Sequence, residues 1–335
     1  MPPEQHVLVT GGAGYIGSHA VLALLDAGYR VSVADNLVTG FRWAVPDAAA
    51  FHEVDVGDED AMTAIMSAKS APVEAIMHFA GSVVVPESVE NPLKYYRNNT
   101  AATRALIAAA VAAGVKHFIF SSTAATYGIP EVSPVAEETP QRPINPYGMS
   151  KLMSEAMLAD TAAAHDFAYV ALRYFNVAGA DPKGRAGQAT KGATHLIKVA
   201  CEAATGKREA VDVFGTDYDT SDGTGVRDYI HVSDLAAAHV LALEWLNENP
   251  GRSAVMNAGY KRGFSVLEVL DAVERVSGRP IVRRMEPRRA GDPDALVSDN
   301  AKILATLGWE PRHADLDTIV SHALAWEAAL KDRQN

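Results

Sequence analysis

Nothing restricts the fold of this 335-residue chain as tightly as the run Thr10-Gly11-Gly12-Ala13-Gly14-Tyr15-Ile16-Gly17, which closes one apolar segment and opens a helical one. Gly12, Gly14 and Gly17 carry the G-x-G-x-x-G spacing. The first permits a tight turn, the second lets backbone approach a pyrophosphate, and the third lets the helix pack closely. Phosphates held there meet free N–H groups and the positive end of a helix dipole. Asp35 stands at the end of the next apolar run. A carboxylate in that place accepts hydrogen bonds from both ribose hydroxyls and repels a 2′-phosphate, which favours NAD over NADP. Glycine turns are common in folds of every kind. The order strand, glycines, helix, strand, acid is what sets this one apart from a structural turn followed by a solvated aspartate.

The same alternation continues to about residue 175. Strands are expected over 6–10, 30–34, 74–79, 116–121 and 167–174, each rich in Val, Ile, Phe or Tyr. Helices are expected over 18–27, 58–68, 92–113 and 147–164, the first and third closed by Gly28 and Gly114. Such a rhythm implies an α/β chain, a Rossmann-type doubly wound parallel sheet with helices on both faces. Past Val177 the pattern loosens into Gly- and Asp-rich loops such as 215–225. The expected division is a nucleotide-binding domain over 1–176 and a smaller C-terminal α/β domain over 177–335. Segment 226–246, a strand and a helix, is expected to return to the first. Asp55-Val56, after a third short apolar run, is placed to reach an adenine, although a plain loop aspartate fits Asp55 nearly as well.

Composition narrows the ligand classes. The net charge is −11, with 48% apolar and 21% charged residues. That balance suits a globular protein with a substantial core and disfavours nonspecific attraction to nucleic acid or an anionic membrane. An acidic chain that binds an anionic ligand must gather arginines locally. Cys201 is the only cysteine, so no intramolecular disulfide forms, in keeping with a reducing compartment. Residues 1–5 lack signal-peptide anatomy and no apolar run is long enough to span a bilayer, so a cytoplasmic location is expected. No metal site is expected.

Tyr147 and Lys151 are four residues apart at the start of a predicted helix and therefore share a face. A free phenol titrates near pH 10, too high for a base at neutral pH. A neighbouring ammonium, helped by the positive ring of an oxidised nicotinamide, stabilises the phenolate. The strand over 116–121 ends in Ser121-Ser122-Thr123, at the carboxyl edge where ligands of a parallel sheet bind. Those hydroxyls either face the nicotinamide or cap the next helix.

At this point the chain resembles the extended short-chain dehydrogenase/reductase family, and within it the UDP-sugar 4-epimerases. The resemblance runs almost end to end. It rests on 10–19, Asp35-Asn36-Leu37, His78-Phe79-Ala80-Gly81, Tyr95-Tyr96-Arg97-Asn98-Asn99, 118–128, 146–151, 173–176, 223–232 and 287–292. What it implies is interconversion of UDP-glucose and UDP-galactose through a 4-keto sugar, with NAD taking and returning the hydride. A UDP-pentose (xylose or arabinose) or UDP-N-acetylhexosamine 4-epimerase of the same mechanism is the alternative. The C-terminal domain would then bind the UDP-sugar.

By the same resemblance Tyr147 is the base, Lys151 binds the nicotinamide ribose and tunes it, and Thr123 hydrogen-bonds the sugar 4-oxygen. Cofactor contacts are implied for Gly11, Gly14, Tyr15, Ile16, Gly17, Asp35, Asn36, Asp55, Val56, Phe79, Ala80, Gly81, Asn98, Ser121 and Tyr174. Asn176, Arg227 and Arg289 match diphosphate-binding positions, Phe214 a residue near the uracil, and Asp292 a contact to the uridine ribose. Arg288 reads as a surface charge and His78 as a packed strand residue. Related sugar dehydratases place an Asp-Glu pair just after the threonine. Here Ala124 and Ala125 stand there and transfer no protons, so dehydration is disfavoured. Three positions depart from the pattern. Val83 replaces a common lysine, His195 falls near an asparagine that contacts the diphosphate, and Leu296 stands where a tyrosine or a smaller residue gates the sugar's C2 substituent. The helices over 92–113 and 147–164 correspond to a four-helix dimer interface, so a homodimer is expected, or else those alanine-rich helices pack within one chain.

Overall fold

The computed structural model describes residues 5–289 and 291–330. Its main sheet is parallel, with strands β1 (His6–Thr10), β2 (Arg30–Asp35), β3 (Ala50–Glu53), β4 (Ala75–His78), β5 (His117–Thr123), β6 (Ala168–Tyr174) and β10 (Ala254–Ala258). The spatial order is β10-β6-β5-β4-β1-β2-β3. The winding reverses between β1 and β4, which opens a crevice at their carboxyl ends, the place where open α/β sheets bind ligands. Strand interiors are almost continuously apolar because both faces are covered. Val7, Val9, Val33 and Met77 pack on one side, and Leu8, Ile76, Phe118 and Phe120 on the other.

A second sheet is built from β7 (Asn176–Ala178), β9 (Val226–His231), β11 (Gly263–Ser265) and β13 (Ala295–Leu296). Strands β8 (Val211–Phe214) and β12 (Arg283–Glu286) form a parallel pair beside it. Helices Leu196–Ala204, Val266–Ser277 and Leu316–Ala329 close its core around Ile197, Tyr229, Val269 and Ile319.

Segment 226–246 divides where a single return was expected. Strand β9 joins the second sheet, paired parallel with β7 and antiparallel with β11. Asp228 explains the choice. Its fully buried carboxylate accepts from Tyr260 N (2.9 Å), Lys261 N (3.0 Å) and Ser298 Oγ (2.6 Å), donors that exist only there. Helix Val232–Glu248 does return, packing on β5, β6 and helix Tyr15–Asp26. Strand β10, in a segment for which no element was expected, then fills the open edge of β6.

Two helices also depart from their expected form. Helix Tyr15–Asp26 begins three residues before the predicted start, because Gly14 takes the extended capping conformation (φ −83°, ψ 177°). The 92–113 helix is interrupted: Pro92–Tyr95 runs into a π-turn over Tyr96–Ala101 and then into Ala102–Ala113. Such a turn re-aims the side chains it carries, here Asn98 and Asn99.

Five histidines are buried, His6 among them, and in four of them burial is the main cause of a strongly lowered pKa: His19 and His239 to about 4, His78 to about 3, His231 to about 2. His231 is further depressed by its neighbours His313 and His322. Unfolding returns all four to the ordinary value of 6.5. The unfolded chain therefore binds protons that the folded chain refuses. Stability is full above that value and falls as pH drops below it, by about 1.4 kcal/mol per pH unit for each histidine. Thermal midpoints measured from neutral pH down to about pH 5 should fall steeply, and a flat series would exclude this account.

Candidate active site

The carboxyl ends of β1, β2, β4, β5 and β6 converge on one crevice. At its floor the glycine turn leads into helix Tyr15–Asp26, whose first turn holds no acidic side chain and whose cap residue, Gly14, makes no side-chain hydrogen bond. The turn is tight enough that a Cβ at Gly17 would stand 2.1 Å from Gly11 O. This is a cradle that admits a pyrophosphate and excludes a side chain. Asp35 ends β2, nearly buried, and accepts from Ala13 N (3.0 Å) and Leu37 N (2.8 Å). Each carboxylate oxygen retains a second lone pair for a ribose hydroxyl. Asn36 donates to Asp55 across the neighbouring loops (3.4 Å), and Asp55 also holds Gly57 N (2.8 Å), with Val56 buried behind them. The glycine cradle, the diol-reading carboxylate and the absence of a nearby cation paired with Asp35 among the described residues fit NAD.

The loop after β4 carries Phe79, Ala80 and Gly81 along the crevice. Phe79 packs on the ring of His239 at 4.8 Å. Asn98 donates to Ser82 Oγ (3.1 Å). Its neighbour Asn99, not singled out in the sequence, does more. Its oxygen accepts from Ser82 N (2.7 Å) while its nitrogen donates to Ser82 O and Ser150 Oγ (both 3.0 Å). It thus ties this loop to helix Pro146–Ala164. His78 is packed, hydrogen-bonded to Thr10 and Thr103.

Asn145 caps helix Pro146–Ala164 by accepting from Gly148 N (2.8 Å), and Pro146 occupies its first turn. A Cβ at Gly148 would lie 2.5 Å from Ala125 O, so only glycine lets the helix press against the turn that follows Thr123. That contact sets Thr123 hydroxyl against the Tyr147 phenol. Lys151, one turn on, is 3% exposed and donates to Ser121 O (2.9 Å), its ammonium 4.9 Å from the Phe120 ring centre. Burial lowers the Lys151 pKa to about 8, opposed by the charge of Glu155. Burial also raises Tyr147 above its ordinary value, opposed by the Thr123 hydrogen bond. The dry pocket therefore keeps the phenol neutral until further positive charge arrives beside it. Tyr174 ends β6 at the carboxyl edge of the sheet, 5% exposed, its hydroxyl hydrogen-bonded to His239 Nε2.

Across the crevice the second sheet presents the other predicted residues. Asn176 pairs in register with Tyr229, two residues from Arg227, which places Asn176 and Arg227 on one face. Arg227 lies 3.7 Å from Asp292. Arg289 stacks its guanidinium over Phe214 at 3.7 Å from the ring centre. Leu296 pairs with Arg227 and packs against the cluster of Ala124 and Tyr127, next to Thr123. His195 lines the same cavity as Asn176 and Tyr229, its Nδ1 within 2.9 Å of Gln188 Nε2. Arg288 is a surface residue, as expected, yet engaged: it pairs with Asp217 and Asp294 and stacks on Tyr218. Val83 is exposed beside the loop and offers no charge. Ala290, inside the 287–292 motif, lies outside the described residues. Among those residues no group of His, Cys, Asp or Glu is arranged to hold a metal ion, and no helix is long and apolar enough to cross a membrane.

Comparison with known proteins agrees with this layout. Residues 7–259 match the NAD dependent epimerase/dehydratase family. A UDP-glucose 4-epimerase of Azospirillum brasilense is 56% identical over 328 residues, 98% of this chain and 93% of that one. Among solved structures, UDP-glucose 4-epimerase from Brucella ovis in complex with NAD superposes with a TM-score of 0.92 at 47% identity, covering 96% of this chain and 98% of the other. The enzyme from Bifidobacterium longum in complex with NAD+ and UDP gives 0.91 at 38% identity, covering 98% and 99%.

Proposed function

The chain belongs to the NAD dependent epimerase/dehydratase family, and from that premise we propose that it interconverts UDP-glucose and UDP-galactose by inverting C4 of the hexose. The observation that carries this is the meeting of a dinucleotide cradle, the Thr123/Tyr147/Lys151 group and an arginine-lined second sheet across one crevice. NAD, when bound, accepts the hydride from C4 and returns it to the opposite face.

Tyr147 takes the proton of the 4-hydroxyl as C4 is oxidised and gives it back on reduction. Lys151 stabilises the phenolate and holds the nicotinamide ribose, and Thr123 fixes the 4-oxygen. Gly11, Gly14, Tyr15, Ile16 and Gly17 cradle the pyrophosphate and Asp35 selects the unphosphorylated ribose. Asn36, Asp55 and Val56 border the adenine, and Phe79, Ala80, Gly81, Asn98 and Ser121 border the nicotinamide. Arg227 and Arg289 grip the diphosphate with Asn176 and His195, Phe214 stacks near the uracil, and Asp292 reaches the uridine ribose. Arginine forks suit phosphate oxygens and supply the local positive charge that an acidic chain must concentrate. Strong binding of UDP and weak binding of the sugar leave the 4-keto ring free to turn over, which places the binding energy on the non-reacting part. In this reading residues up to Asn176, together with helix Val232–Glu248 and β10, form the NAD-binding part, and the second sheet forms the UDP-sugar part. The exposed apolar side chains of Val85, Val89, Leu93 and Met153 support a homodimer through this helical face, and the lone buried Cys201 suits the cytoplasm.

The test is to size the purified chain by sedimentation and then incubate it with UDP-galactose without added NAD, following UDP-glucose by chromatography. A two-chain mass and conversion to an equilibrium mixture are expected. A one-chain mass overturns the dimer. No conversion after NAD is supplied overturns the hexose assignment, and turnover of a UDP-pentose or UDP-N-acetylhexosamine alone would replace it.

A further inference from the structure

Behind the reacting group lies a charged pair that the chemistry above does not use. Glu155 stands one helical turn past Lys151 on helix Pro146–Ala164 and is 6% exposed. Its Oε1 accepts from Arg173 Nε (3.0 Å) and from the Ser122 hydroxyl, and its Oε2 from Arg173 Nη2 (2.7 Å). Arg173 Nη1 goes on to the Tyr127 hydroxyl (2.8 Å) and Glu137 O (3.2 Å), and Tyr127 donates to Asn257 Oδ1 (2.7 Å). Two members adjoin the catalytic group. Ser122 lies between Ser121, whose carbonyl receives Lys151, and Thr123. Tyr127 closes the short turn after Thr123. Asn257 belongs to the strand that completes the sheet. A buried bidentate pair with every oxygen and nitrogen engaged fixes geometry, whereas its net contribution to stability is small.

We propose that Glu155 is a positioning residue for Lys151: clamped by Arg173 and Ser122, its carboxylate holds the end of β5 under the ammonium and supplies the negative charge that keeps that ammonium protonated. The inference rests on the reading of Tyr147 and Lys151 as the reacting pair. The other ionisable groups around Lys151 are Tyr147 on its own helix, His78 on β4, Tyr95 on helix Pro92–Tyr95, and Arg173 and Tyr174 on β6. His78 is neutral, its pKa depressed by burial and by Lys151. The tyrosines are raised by burial and so uncharged near neutral pH. Arg173 is engaged with Glu155. Glu87, on helix Val85–Glu90 packed against helix Pro146–Ala164, is paired with Lys94 and the Tyr95 hydroxyl. That leaves Glu155 as the carboxylate on Lys151's own helix, and the opposing effect of its charge on Lys151 accords with that.

Two variants test it, Glu155→Gln and the double variant Glu155→Gln/Arg173→Met, which removes the carboxylate without leaving a buried guanidinium unpaired. The primary reading is the pH midpoint for acetic anhydride labelling of Lys151 in the full chain freed of nucleotide, measured by mass spectrometry. The second is the alkaline limb of the kcat profile with NAD and UDP-galactose. Removing a nearby anion makes Lys151 lose its proton at lower pH, so both readings should move down by about one unit in Glu155→Gln. They should move in the same direction by less in the double variant, where the opposing guanidinium charge goes too. A lower kcat with the labelling midpoint unmoved in both reduces Glu155 to scaffolding and overturns the proposal. A shift in the single variant alone assigns the effect to the unpaired Arg173 and overturns it as well. If the single variant does not fold, the double variant decides. The labelling readout needs no turnover, so failure of the epimerase reading leaves it intact and distinguishable.

Discussion

Tyr147→Phe should abolish epimerisation, with kcat falling by about 10³-fold or more, while the protein folds and keeps its cofactor. The phenol ring is held by packing, edge-on to Tyr95 with centres 6.4 Å apart, and phenylalanine preserves that contact. The hydroxyl meets Thr123, which has a second partner in Ala125 N at 3.1 Å. Little stability is therefore at stake. What disappears is the group proposed to take the 4-hydroxyl proton in step with the hydride. Neither face of the sugar can then be reduced or oxidised without generating an unstabilised alkoxide. Steady-state rates, thermal midpoint and nucleotide content of the purified variant check this together. Wild-type turnover would remove Tyr147 from the mechanism, and loss of nucleotide would show that the residue serves binding first.

Arg173→Met should be the most damaging substitution outside the crevice. It leaves the Glu155 carboxylate buried with Ser122 and a distant Gln141 amide as its remaining donors. Breaking one side of a buried pair costs about 3–5 kcal/mol, because the charge left behind is desolvated without compensation. In a chain of this size that lowers the thermal midpoint by roughly 5 °C. Activity should fall with it, since the same pair braces the end of β5 and the turn carrying Tyr127. Adding Glu155→Gln should restore most of the lost stability, as both charges are then gone. Calorimetry of the single and double variants measures this. A single variant within about 1 kcal/mol of the parent would mean that the pair is reached by solvent.

The parts of this molecule that were legible from sequence are those whose geometry is set by close spacing. Four residues on a helix put Tyr147 and Lys151 on one face whatever surrounds them. Glycines at fixed offsets force the turn after β1 before any tertiary contact forms. Asp35 was found because it ends a strand. The parts that were not legible depend on partners far along the chain. Glu155 looked like an ordinary helix glutamate, and only its contacts with Ser122 and Arg173 reveal a network. Strand β9 carries an apolar run that suits either sheet, and the donors satisfying Asp228 come from positions 260, 261 and 298. The π-turn over Tyr96–Ala101 lies inside a stretch with good helical periodicity, which hides an added residue per turn. Tyr174 was read from its motif alone, and the pairing of its hydroxyl with His239 comes from a helix far along the chain.

The last strand of the main sheet has a consequence for how the chain is made. Until Ala254–Ala258 is added, β6 presents a bare parallel edge of apolar residues, and such edges invite pairing with other chains. A ribosome delivers β7, β8 and β9 before it delivers that cover, and β11 and β13 only after it. The nascent chain thus carries a sticky margin from the end of β6 at Tyr174 until Ala254 is reached, a window in which holding chaperones are most useful.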